Sequence, residues 1–230
     1  MVLKRPPGSA SADTPADARD LPHRAHQRLV GLMGLSLPVV IYLLAAARPT
    51  PPLPRWELLR SISAYYYTGA ISIFVGVLFA LGLLLISYPG YEGTAADRIL
   101  ARIAGGCALG VGVLPTSAPV GLVEPPWWRP IVGGLHLASA AALLICFAVF
   151  SLWLFRKSDV PEPRDRPPDK RRRDAFYLAC GVMILIALLW CLVAMLLHAP
   201  VFWPEAIALW AFGFSWLVKG RAIELGPYGA

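Results

Sequence analysis

A small set of polar residues in an otherwise apolar chain carries the chemistry open to this sequence. Ser61, Ser63, Tyr65, Tyr66, Tyr67 and Thr68 fall together ahead of a long apolar run, and Thr116 closes another run in Pro115-Thr116-Ser117. His136 opens a fourth run, with Ser139 one turn further on nearly the same helical face, and Glu205 follows Pro204 at the start of a sixth. Histidine exchanges a proton near neutral pH. A serine beside such a base is a candidate nucleophile, and tyrosine offers an apolar wall with a hydroxyl tip, suited to an amphipathic ligand. Each residue also has a plain structural use. Ser61 and Ser63 fit helix caps, Glu205 fits the positive end of a helix, the tyrosines fit an interfacial belt, and His136 fits a hydrogen bond across a bundle. Catalytic zinc needs three protein ligands and an open position. With His136 and His198 as the histidines near the apolar runs, no H-x-x-x-H and no aspartate inside a run, neither a metal nor another cofactor is expected.

These residues must be positioned by apolar segments. Of 230 residues, 57% are apolar and 15% charged, where a soluble domain carries about 25% charged residues. A water-soluble globule, a disordered chain and a collagen-like chain are excluded. Six apolar stretches run at about 29–46, 65–88, 99–114, 131–155, 175–197 and 203–218. Each is near the ~20 residues that cross a ~30 Å hydrocarbon core as helix. Helix is required because lipid offers the backbone no partners, and the runs lack the alternation of barrel strands. The expected fold is an all-α membrane protein, a bundle of six transmembrane helices spanning 28–221. Residues 1–27, polar and proline-containing, are expected to be a disordered tail, and 222–230 a short one. The first stretch ends in Ala45-Ala46-Ala47, like a signal-peptide cleavage site, but its long leader and Pro38 favour a retained helix.

Charge orients the bundle. Of 21 Lys and Arg, only Arg48, Arg55, Arg60 and Arg129 fall on the side away from the N-terminus. The positive-inside rule then places both termini in the cytoplasm. The net charge of +7 reflects residues flanking spans, not a nucleic-acid groove, and no nucleotide-binding motif is present. The loop 156–173 ends in Lys170-Arg171-Arg172-Arg173. It serves as a solvated topology signal, or as a dock for anionic head groups or an acidic cytoplasmic partner. Cys107, Cys146, Cys180 and Cys191 sit in apolar runs without a C-x-x-C pair and read as small core residues.

In this orientation Ser61, Ser63, Tyr65, Tyr66, Tyr67, Thr68, Thr116, His136 and Glu205 share one depth, near the outer face, while the inner halves of the spans are almost wholly apolar. Polar groups facing lipid are costly, so these side chains are expected to turn inward and line an outward-facing pocket. The pairs Ser61/Tyr65, Ser63/Tyr67 and Thr68/Ser72 would form one face of the second helix. Gly106-x-x-x-Gly110 would let the third pack closely.

The segment SISAYYYTGAISIFVGVLFALGLLLISYPGYE, with ALGVGVLPT, GLHLASAAALL and FWPEAIALWAFGFSWLVKG, resembles a family of uncharacterised bacterial six-helix inner-membrane proteins of the domain-of-unknown-function type. The resemblance covers most of 28–221 and implies a fold and a location, with no activity attached. An Arg-Asp pair often follows Thr-Gly in that family; here the positions read Ile71 and Ser72. The function expected is the binding or movement of a lipid or small amphipathic molecule. An alternative is an intramembrane lipid hydrolase or acyltransferase. Ceramidase-like enzymes are similar in size and in a serine near the second helix, but their histidine pattern is missing, which leaves a metal-free Ser63–His136–Glu205 relay without a G-x-S-x-G elbow. A further alternative is an assembly or sensor subunit docked through loop 156–173.

Overall fold

A computed structural model describes the backbone of residues 15–53, 55–90, 95–160 and 162–225, and side chains from Leu21 onward. The six helices are α1 (Pro15–Ala47), α2 (Ile71–Ile86), α3 (Ala95–Val113), α4 (Pro130–Leu152), α5 (Pro168–Leu196) and α6 (Phe202–Lys219), with 3-10 turns at Ser63–Tyr67, Leu154–Arg156 and Pro163–Asp165. No strand occurs among the described residues. Pro130 and Pro168 stand in the first turns of α4 and α5, where proline's missing N–H costs nothing.

Each helix packs on the next in the chain and α6 returns to α1, so the six close a ring; α4 also touches α6 across it. Phe147 and Phe212 stack at this crossing with ring centroids 3.4 Å apart. Two seams bring backbones together. A Cβ on Gly31 would sit 2.8 Å from the carbonyl oxygen of Gly213, and one on Gly213 would sit 2.7 Å from that of Gly31. Gly82 of α2 and Gly105 of α3 form the same reciprocal contact. Small residues at such seams let helices approach closely.

Three helical stretches are long and apolar enough to cross a membrane, Leu21–Ala47, Pro130–Arg156 and Pro168–Leu196; α2 is apolar but shorter. Their outward faces stay apolar: Leu189, Leu192 and Leu196 on α5 are 61%, 55% and 71% exposed. A continuous apolar face of this kind suits hydrocarbon rather than water.

The structure corrects several expectations. Helix α1 begins at Pro15, not near residue 28. Buried Gln27 donates to the Tyr88 hydroxyl (3.3 Å), and His26 Nε2 meets the Leu84 carbonyl (2.8 Å), so partners on α2 and its end hold this polar stretch in place. Residues 1–14 and 226–230 lie outside the described residues. The second apolar run is not one helix. Ser63–Tyr67 forms a 3-10 turn, Thr68 is extended (φ −117°, ψ 176°), and α2 starts only at Ile71. The Thr68 hydroxyl donates to the Tyr65 carbonyl (2.8 Å) and accepts from Ala70 N–H (3.1 Å), a local alternative to helical bonding. Ser61/Tyr65, Ser63/Tyr67 and Thr68/Ser72 therefore make no common helical face. Gly106 has no neighbour near its Cβ position; Gly105, one residue earlier on the buried stripe, makes the seam. Lys170–Arg173 belongs to α5 rather than to a loop. Buried Ser151 of α4 and Ser215 of α6 hydrogen-bond at 3.0 Å.

Candidate functional site

The helices alternate in direction, so polar groups gather at two ends of the ring. At one end the segment 48–70 folds across the helix termini. Gly69 fits beside Arg48 because a Cβ there would lie 2.6 Å from the Arg48 carbonyl oxygen. The 3-10 turn brings Ser63 to α4, where its Oγ lies 2.8 Å from His136 Nε2, while His136 Nδ1 lies 2.5 Å from the Leu114 carbonyl. A carbonyl only accepts, so Nδ1 carries a proton, and in the neutral ring Nε2 accepts from the serine. Glu205 Oε2 accepts from Ile62 N–H at 2.6 Å. The Arg60 carbonyl accepts from Val201 N–H (2.6 Å) and Phe202 N–H (3.0 Å), satisfying donors at the start of α6. The Arg60 guanidinium donates to the His198 carbonyl.

The remaining predicted residues complete this knot. Ser61 Oγ accepts from Ala64 N–H at 3.1 Å. Tyr67 donates to the Thr116 carbonyl at 2.6 Å. Burial, reinforced by Glu124 and Tyr66, pushes the Tyr67 hydroxyl up to about 12, so it remains a donor. The Tyr65 hydroxyl accepts from Leu59 N–H at 3.4 Å, its ring lies against Phe202, and Tyr66 packs edge-on to Tyr67 and Phe74. The structure thus joins Ser63 to His136, whereas the carboxylate of Glu205 is engaged by Ile62 N–H and not by the histidine. Ser63 and His136 are 8% and 4% exposed. Beside Tyr42, Thr50, Leu59 and Tyr65 a cleft of about 20 Å³ remains, room for about one water.

The opposite end is built differently. A cavity of about 580 Å³ opens among the start of α1, the segment after α4, the start of α5 and the end of α6. Arg24, Lys157, Lys170, Arg173, Lys219 and Arg221 line it, with Asp159 as the acid in its wall. Leu154, Phe155 and Val218 supply an apolar side. Lys170 and Arg173 point the same way because they are three apart on a helix, and Tyr177 follows one turn later. Arg171 and Arg172 face solvent. Three of the cations have acidic partners behind the wall: Lys157 with Asp97 (2.9 Å), Lys170 with Asp174 (2.7 Å) and Arg173 with Asp169 (3.0 Å). Arg28 binds the carbonyls of Gly220 (2.8 Å) and Arg221 (3.0 Å), tying α1 to the end of α6.

The sequence marked loop 156–173 as a dock for anionic head groups or an acidic partner, but Arg24, Lys219 and Arg221 were left out because they look like flanking charges. The available signal was the i, i+3 spacing of Lys170 and Arg173, together with Lys219 ending an apolar run. Among the described residues no three His, Cys, Asp or Glu side chains gather to hold a metal ion. No protein-family model matches the chain, and no curated protein or solved structure is significantly similar to it.

Proposed function

We propose that the chain is a six-span protein of the bacterial inner membrane, both termini cytoplasmic, which binds an amphipathic molecule at its basic end. The observation that carries this reading is the cavity of about 580 Å³ at the basic end, with lysines and arginines on one side and Leu154, Phe155 and Val218 on the other. A volume of ~300–1,000 Å³ suits a small-molecule ligand. Cationic walls on one side and Leu154, Phe155 and Val218 on the other suit a molecule with an acidic head and an apolar body. The lysine and arginine distribution supports a cytoplasmic position for this end, and the resemblance to six-helix inner-membrane proteins supports the location. The pocket expected at the outer face thus moves, in this proposal, to the inner one.

Photolabelling in sealed inner-membrane vesicles with a diazirine-bearing amphiphile tests the reading. Labels should map to residues 154–158 and 217–221, and Ser158→Cys should react with an impermeant thiol reagent only from the cytoplasmic side. Labelling spread evenly over the outward faces of the helices would sink it.

A second reading rests on the Ser63–His136 contact. A nucleophile held to a base that is itself oriented by a third group is the arrangement of acyl-transfer enzymes. Loss of a lipid-hydrolase activity in Ser63→Ala would favour it. Access opposes it, since Ser63 and His136 are both buried.

A further inference from the structure

Resting on the reading that the bundle spans a membrane with its basic end at the cytoplasmic face, we infer that the outward face of α3 binds an anionic phospholipid, its phosphate held by Arg98 and Arg102. Neither arginine is among the residues that line the basic cavity. Helix α3 has two distinct faces. Ala101, Ala104, Gly105, Ala108 and Val111 are buried in the bundle, while Arg98, Ile99, Arg102, Ile103 and Gly106 are exposed. The exposed residues recur three and four apart, so they share one stripe. Arg98 and Arg102 lie one turn apart on it, beside Ile99 and Ile103, which are 54% and 51% exposed. Gly90, at φ +76°, lies so close that a Cβ there would come within 3.1 Å of Arg98 Cγ, so the turn before α3 fixes the arginine's stem. Asp97, the adjacent acid, is buried and pairs with Lys157 at 2.9 Å.

Length adds a second argument. Only residues 103–113 follow Arg102 in the helix, and they rise about 16 Å, roughly half of the ~30 Å hydrocarbon core. A charged side chain facing hydrocarbon is costly, so the arginine stem extends toward the interface and a lipid phosphate is drawn to meet it. Charge complementarity selects the occupant. Two guanidiniums offer paired N–H donors to phosphate oxygens. A zwitterionic head brings its own cation to them, and an anionic head does not. An acyl chain then lies along Ile99 and Ile103 and over Gly106, which has no neighbour within 4 Å of its Cβ position.

The test uses the full chain in nanodiscs that carry a small fraction of phosphatidylglycerol or phosphatidylcholine with identical diazirine-bearing acyl chains, and maps the labelled peptides. Phosphatidylglycerol should label residues 99–106 about tenfold more than phosphatidylcholine, the scale set by two arginines at an interface. R98Q/R102Q should abolish that preference. R171Q/R172Q removes the same charge from exposed positions at the start of α5 and should leave it within about twofold. Arg102→Leu removes the charge and extends the apolar stripe, so it should lose the preference while the thermal midpoint in detergent does not fall. Equal labelling by the two lipids, or an equal loss in R171Q/R172Q, overturns the site. A lower midpoint with the preference retained in Arg102→Leu overturns it too, since the arginine would then hold the protein and not a lipid. No label from either lipid on the outward faces of α4 and α5 would defeat the membrane reading itself.

Discussion

The two ends of this bundle both gather polar residues and arrange them differently. At the His136 end, segment 48–70 brings donors and acceptors that complement the helix termini. Ser63 meets His136, Ile62 N–H meets Glu205, and the Arg60 carbonyl meets the first N–H groups of α6. At the basic end, side chains from four parts of the chain line a cavity of about 580 Å³, and Lys157, Lys170 and Arg173 each pair with an aspartate. A hydrogen bond needs both partners at contact, so polar groups that find complementary partners pack together instead of lining a space. A cluster of polar residues at one membrane depth is therefore no sign of a pocket until its partners are known.

Four changes test how independent the ends are, beginning with the largest. Gly213→Leu forces side-chain atoms into the Gly31 carbonyl and should cost about 3 kcal/mol, lowering the thermal midpoint in detergent and disturbing both ends. A variant that melts like the wild type would mean that the α1–α6 seam is not what holds them together. His136→Ala removes the partner of Ser63 and of the Leu114 carbonyl and should cost about 2–3 kcal/mol, with ligand retention at the basic end unchanged. A fall in retention would show the ends to be coupled. Raising the salt from 0.1 to 1 M shortens the Debye length from about 10 to about 3 Å. Binding of an acidic amphiphile should weaken several-fold, while hydrogen-exchange protection of Ile62 N–H stays constant. Salt-independent binding would place recognition on the apolar wall instead of the cations. Tyr67→Phe deletes one hydrogen bond to the Thr116 carbonyl and should cost about 1 kcal/mol, seen as faster exchange confined to 60–70.

The helices were readable because lipid leaves few choices: an apolar run of sufficient length pairs its own backbone as helix. The readings that failed involve competition between local and distant partners. Thr68 bonds its own turn and breaks the expected second helix, and Gly105 in place of Gly106 makes the seam because the phase of α3 is set by α2. Gln27 looks like part of a polar tail until Tyr88, 61 residues away, supplies its partner. The Ser63–His136 contact was legible as a conceivable pair. Of the basic cavity only the 156–173 cluster was legible; that Arg24 and Lys219 join it depends on how α1 and α6 close the ring.

By itself the sequence determined the helical class, the approximate limits of the apolar segments and the segregation of basic residues to one end. These follow from composition and period, which act locally. Only the tertiary structure decided that Glu205 meets Ile62, that Ser63 meets His136, and that Lys170 and Arg173 join Lys219 around a void. Such outcomes depend on distances between groups far apart in the chain, and those distances exist only once the ring of helices has closed.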